Sequence, residues 1–139
     1  MARFSDFGIQ PTTIIGKSIL MDDIIGRRIV IEKVRIEKTK FENDKTRLHL
    51  RMQMQIVLAE FRETADEAGD YFVKDENGAI SGQRRSCFTG SDNLIETVQN
   101  MQTSIPAINE QRQKAGLPPI DAFPLDCTIQ RSGKCLIFQ

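Results

Sequence analysis

The chain has 139 residues, in which 19 Lys and Arg are balanced by 19 Asp and Glu beside a single His. That length suits one domain able to bury its own core, and no apolar run approaches the roughly 18 residues a membrane span needs. Three scattered cysteines (Cys87, Cys127, Cys135) without a Cys-x-x-Cys pair argue against a disulfide framework and for small, reduced core residues in a cytosol.

Residues 1–18, with Pro11-Thr12-Thr13 and Gly16, read as an irregular N-terminal arm whose start lacks the apolar centre of a signal peptide. A single domain is expected over 19–139. From Arg28 to Phe41 β-branched residues predict a long first strand, but its apolar positions change parity: Ile29 and Ile31 are odd, Val34 and Ile36 even. An extra residue near Glu32-Lys33 must shift the pleat, as a β-bulge does, and a bulged strand bends. A strongly bent first strand is what a small barrel needs, because it then serves both halves.

Glu42-Asn43-Asp44-Lys45 supplies a turn, after which apolar and polar residues alternate from Leu48 to Ile56. Leu48, Leu50, Met52, Met54 and Ile56 therefore share a core face of the second strand, and His49, Arg51, Gln53 and Gln55 share a polar one. Residues 60–82 form an acidic insertion, in which Tyr71-Phe72-Val73 and Ala79-Ile80 flank an Asn77-Gly78 pair that favours a type I′ hairpin. A third strand over Gln83–Thr89 leads to Gly90-Ser91-Asp92-Asn93, any of whose polar residues can cap a helix; with Asn93 as cap, Glu96 completes a capping box. Leu94, Ile95, Val98 and Met101 make one stripe of a helix over Asp92–Gln102. A Pro-rich connection, 103–124, is expected next, with room for a short helical piece around Ala107–Lys114. Leu125, Cys127 and Ile129 alternate, Arg131–Lys134 turns, and Cys135–Phe138 closes a second hairpin. Strand, strand, strand, helix, strand, strand is the order of a mainly β OB-fold, a five-stranded Greek-key barrel with its helix between strands three and four.

The neutral total hides an uneven distribution. Between Arg27 and Arg51 nine Lys/Arg face four Asp/Glu, a net of +5, whereas Glu60–Gly78 holds seven acids against two bases, a net of −5. A basic segment on the first two strands attracts phosphates, although solvated strand faces carry such residues in any case.

Phe88-Thr89-Gly90-Ser91-x-x-Leu94-Ile95, then Phe123-Pro124-Leu125 with Ile129, then Leu136-Ile137-Phe138 resemble a group of small phage and prophage OB-fold single-stranded DNA-binding proteins. The likeness covers about residues 19–139; the acidic insertion and the Pro-rich connection are longer here than in that group. The resemblance implies a cytoplasmic, non-enzymatic binder of single strands in a bacterial or phage-infected host cell, serving phage or mobile-element DNA replication and recombination alongside other proteins of those processes.

One His and no Gly-x-Ser-x-Gly, Walker or His-Glu-x-x-His pattern give catalysis, a metal or a cofactor little to work with. Single-strand binding needs cations that follow phosphates and flat groups on which bases stack. The candidate cations and polar groups are Lys33, Arg35, Lys40, Arg47, His49, Arg51, Gln53, Arg84 and Arg85; His49 reads first as an exposed strand residue. The candidate stackers are Phe41, Phe61, Tyr71, Phe72 and Phe88; each can equally be core, and for Phe88 and Phe138 burial is the favoured reading. Arginine can also stack through its planar guanidinium. The competing reading is a protein-binding OB module whose acidic segment docks on a basic partner. DNA and RNA are not distinguished by these residues, and an unpaired strand edge offers a way for two copies to associate.

Overall fold

A computed structural model describes residues 13–39 and 45–139. They form a mainly β structure: β1 (Lys17–Ser18), β2 (Arg28–Lys38), β3 (Leu50–Ala59), β4 (Gly82–Thr89), helix α1 (Asp92–Lys114), β5 (Leu125–Ser132) and β6 (Cys135–Phe138). The strands make one six-stranded sheet in the order β1-β4-β3-β2-β5-β6. Two expectations are corrected here. Among the described residues there are six strands rather than five, and their sheet is an open one rather than a closed barrel.

The bend arises where the parity switch demands it. β2 pairs antiparallel with β3 from Val30 to Lys38, and the register slips between Ile31 and Lys33, leaving Glu32 as the bulged residue. Before the bulge β2 also pairs with β5, from Arg28 opposite Thr128 to Ile31 opposite Leu125. One bent strand thus joins both halves of the sheet.

Of the segment expected to be an irregular arm, Lys17 and Ser18 form a strand. β1 lies parallel to the edge of β4, Ile19 N–H donates to the Ser86 carbonyl at 2.9 Å, and Gly26 N–H donates to the Ile129 carbonyl at 2.8 Å. Between these two attachments Ile24 is fully buried, with Ile19, Met21 and Ile25 against the same core. Residues 17–26 therefore run from β4 to β5 and cover apolar surface that the open sheet would otherwise present to water.

The main core lies on one face, where Ile29, Ile31, Met52, Met54 and Ile56 meet Leu94, Ile95 and Val98 of α1. Ser91, rather than Asn93, caps α1, its Oγ accepting from Leu94 N–H at 3.3 Å. Asp92 instead accepts from the N–H groups of Arg47 and Leu48 at 2.8 and 3.0 Å, tying the approach to β3 onto the helix. The helix runs through Pro106 to Lys114, twelve residues past its expected end at Gln102. A proline removes one intrahelical donor; just ahead of it Thr103 and Ser104 turn their hydroxyls back onto the carbonyls of Gln99 and Asn100. The return segment then fastens to the helix, Asn109 exchanging two hydrogen bonds with the backbone of Ile120.

Burial separates the cysteines. It pushes the Cys87 and Cys127 thiols up to about 11 and about 12, while Cys135 is exposed. Since the thiolate is the reactive species, a neutral-pH thiol titration of the native protein should label one cysteine rapidly, and all three only in denaturant. Rapid labelling of three in the native state would contradict this core.

Candidate nucleic-acid interface

The face opposite the main core carries the candidate site, and its two halves differ. Cross-strand register puts Val30 beside Val57, Lys33 beside Gln55, Arg35 beside Gln53 and Glu37 beside Arg51; on the other side of β3, Arg84 stands beside Val57, Ser86 beside Gln55 and Phe88 beside Gln53. By strand alternation all of these point outward.

The lower half is covered. Val30 and Val57 are fully buried beneath Phe72 and Ile80, with Ala59 and Phe61 packed around them. The acidic insertion is therefore a lid with its own small core. Its turn is not type I′: Gly78 has φ +80°, but neither Glu76 nor Asn77 has positive φ, and Gly78 N–H donates to the Asp75 carbonyl at 3.0 Å. That is a type I turn closed by a left-handed glycine. Arg62 and Lys74 pair with Asp66, and Lys74 also with Asp70. The N–H of Asp70 and then that of Ala68, with the Lys74 and Arg62 charges, hold the Asp66 carboxyl below its ordinary value. At the rim, Arg28 makes a two-pronged pair with Asp126 and lies over the Phe61 ring at 4.2 Å and farther, 5.8 Å, from that of Tyr71.

A polar seam divides the halves. Arg84 grips both oxygens of the bulged Glu32 at 2.9 and 3.1 Å, and Gln55 donates to Glu32 at 2.9 Å while accepting from Ile15 N–H at 2.9 Å. Gln55 is consequently 4% exposed. Single removal of Arg84 or Glu32 would strand a half-buried charge, so this pair reads as structural.

The upper half is open. In a row across three strands stand Arg35, Gln53 and Phe88, and Arg35 Nη2 donates to Gln53 Oε1 at 2.7 Å. The Arg51 guanidinium lies over the Phe88 ring, 3.8 Å from its centroid. Lys33 flanks this row and Glu37 stands 4.0 Å from Arg35. Among the described residues of this half-face, three cations thus outnumber one carboxylate beside an arginine–aromatic stack.

The sequence-derived candidates divide accordingly. Lys33, Arg35, Arg51 and Gln53 come together on the open half-face. Arg84 is held in the seam, and Phe72 is 3% exposed within the lid, so neither is positioned to meet a ligand. Arg85 points to the opposite face, in register with Ile56, and bonds to the Arg84 carbonyl and the Gln83 side chain. Arg47 pairs with Glu96 of α1. His49 lies just before β3 in the left-handed region, at φ +53°, so the extended strand begins at Leu50, two residues later than expected. Tyr71 is exposed but belongs to the lid, and Lys40 and Phe41 lie outside the described residues. Phe88, a candidate stacker for which burial is the favoured reading, is only partly buried, on the open face. Its register with Gln53 settles the direction, and Phe88 alternates with buried Cys87.

No family model, curated protein or solved structure matches this chain. Elsewhere on the surface, a shallow apolar groove of about 540 Å³ lies between the distal half of α1 and its return segment. Among the described residues no group of three His, Cys, Asp or Glu is arranged to hold a metal ion, and no helix is long and apolar enough to cross a membrane.

Proposed function

We propose that this protein binds single-stranded DNA, largely irrespective of sequence, on the open half of the outer sheet face. The observation that carries the reading is the Arg51–Phe88 stack flanked by Lys33 and Arg35, which unites an aromatic platform with phosphate-seeking cations. An OB-type reading of the fold is supported by the bulged β2 pairing with both β3 and β5, and by the helix that follows the third long strand. In that reading the gap along the β4 edge is filled by residues 17–26, and the outer face of β2–β4 is the strand path. A role in phage or mobile-element replication or recombination, in a bacterial cytoplasm, fits the sequence resemblance.

Fluorescence anisotropy with oligo-dT over a salt series tests this. If Lys33, Arg35 and Arg51 each take one phosphate, the log–log slope of affinity against salt should be about −2, from roughly −0.7 per contact on a single strand. Absence of binding at low salt would refute the proposal. It would favour the second reading, a protein-docking module, which has its own support: with Arg62 and Lys74 paired to Asp66 and Asp70, the exposed Glu63, Glu67 and Glu76 give the lid an acidic outer rim.

A further inference from the structure

We infer that the open half-face contains one base-reading subsite that favours guanine over adenine, with Gln53 and Arg35 as the residues that discriminate. The inference rests on the single-strand reading and refines it, giving an otherwise sequence-tolerant surface one preferred position.

Neighbouring strands lie about 4.8 Å apart, so the row Arg35, Gln53, Phe88 spans about 10 Å, little more than a purine and its exocyclic groups. A base that takes the place of the Arg51 guanidinium on the Phe88 ring extends its edge over Gln53 toward Arg35. Arg51, displaced from the ring, remains beside the stack as a partner for the adjoining phosphate.

The orientation of Gln53 then decides what that edge must offer. Its Oε1 accepts from Arg35 Nη2 at 2.7 Å, and an amide whose oxygen is engaged turns its NH₂ to the other side. Arg35 has only donors. The row therefore presents donors to a stacked base and calls for acceptors in return. Of the two purines that fill this span, guanine offers two side by side, O6 and N7, whereas adenine places its amino group beside N7. Donor against donor leaves an unpaired polar group and lowers affinity. Glu37 lies one row away, beside Arg51 in register, and does not interrupt the donor row.

The test compares twelve-nucleotide oligo-dT strands carrying one central dG, dA or 7-deaza-dG, at one fixed salt concentration. The dG strand should bind about tenfold more tightly than the dA strand, and 7-deaza-dG, which lacks the N7 acceptor, should lose most of that advantage. In Gln53→Leu the dG-to-dA ratio should collapse toward one, whatever happens to affinity for plain oligo-dT. Equal binding of the dG and dA strands by the wild-type protein would overturn the inference and leave single-strand binding standing. Failure to bind any strand would overturn both.

Discussion

Phe88→Ala should weaken oligo-dT binding by about tenfold or more, while the fold melts close to the wild-type temperature. The magnitude follows from base–aromatic stacking, worth about 1–3 kcal/mol per base by alanine substitution. Near-normal stability is expected because Phe88 faces outward over the open half-face, whereas its neighbour Cys87 faces the main core. The loss on folding is chiefly the contact with the Arg51 guanidinium, about 0.5–1 kcal/mol for an exposed cation–aromatic pair.

Lys33→Ala provides the contrast that separates stacking from charge. It should weaken binding less, and flatten the salt dependence by about 0.7 in log–log slope, the share of one phosphate. Phe88→Ala should leave that slope nearly unchanged, because removing a ring releases no counterion. Anisotropy across a salt series reads both quantities. If Phe88→Ala bound oligo-dT as tightly as the wild type, the ring would not be a platform and the proposed site would be wrong.

The physical origin of the site explains which parts of it the sequence made legible. Alternation over Leu50–Ile56 assigns Arg51 and Gln53 to one face without any tertiary information, and the parity switch between Ile31 and Val34 locates the bulge at Glu32. The covering of the lower half-face also leaves a trace. Ile29-Val30-Ile31 is apolar on both parities, and the polar face of β3 ends in Val57 and Ala59, so both faces of the sheet had to be buried there. That signal identifies the acidic insertion as a lid rather than a detached excursion.

Other features carry no such trace. A two-residue strand such as Lys17–Ser18 has no period, and its place on the β4 edge depends on pairing with residues far along the chain. The end of α1 is set by tertiary fastening, through Asn109 on Ile120 and Arg112 on the Pro118 carbonyl, which outweighs the local break expected at Pro106. Arg84 and Arg85 are adjacent in sequence, yet one sits in the seam and the other on the opposite face. Only the register of β4 on β3 separates them.

Gly82→Ala should be the most damaging small substitution in the sheet. Gly82 begins β4 opposite Ala59, with φ +146°, and an added Cβ would stand 2.4 Å from the Leu58 carbonyl oxygen and 2.8 Å from the Ala59 Cα. Both neighbours are backbone atoms of β3, so no rotamer change relieves the contact. Conformational strain alone is about 1–3 kcal/mol at a backbone position suited to glycine, and the clash adds to it, giving about 3 kcal/mol or more. For a domain of this size each kcal/mol lowers Tm by about 3–5 °C, so the midpoint should drop by about 10 °C or more. Gly116→Ala is the matched control: φ is +74°, but nothing lies within 4 Å of the added carbon, and the drop should be only a few degrees. Because Arg84 lies two residues beyond Gly82 and holds Glu32 in the seam, Gly82→Ala should also loosen the lower border of the open half-face and reduce oligo-dT affinity, whereas Gly116→Ala should not. Thermal unfolding by circular dichroism, with anisotropy at a temperature where both variants are folded, measures the two effects. Equal and small shifts in Tm for the two variants would mean that β3 and β4 do not pack at Gly82 as described.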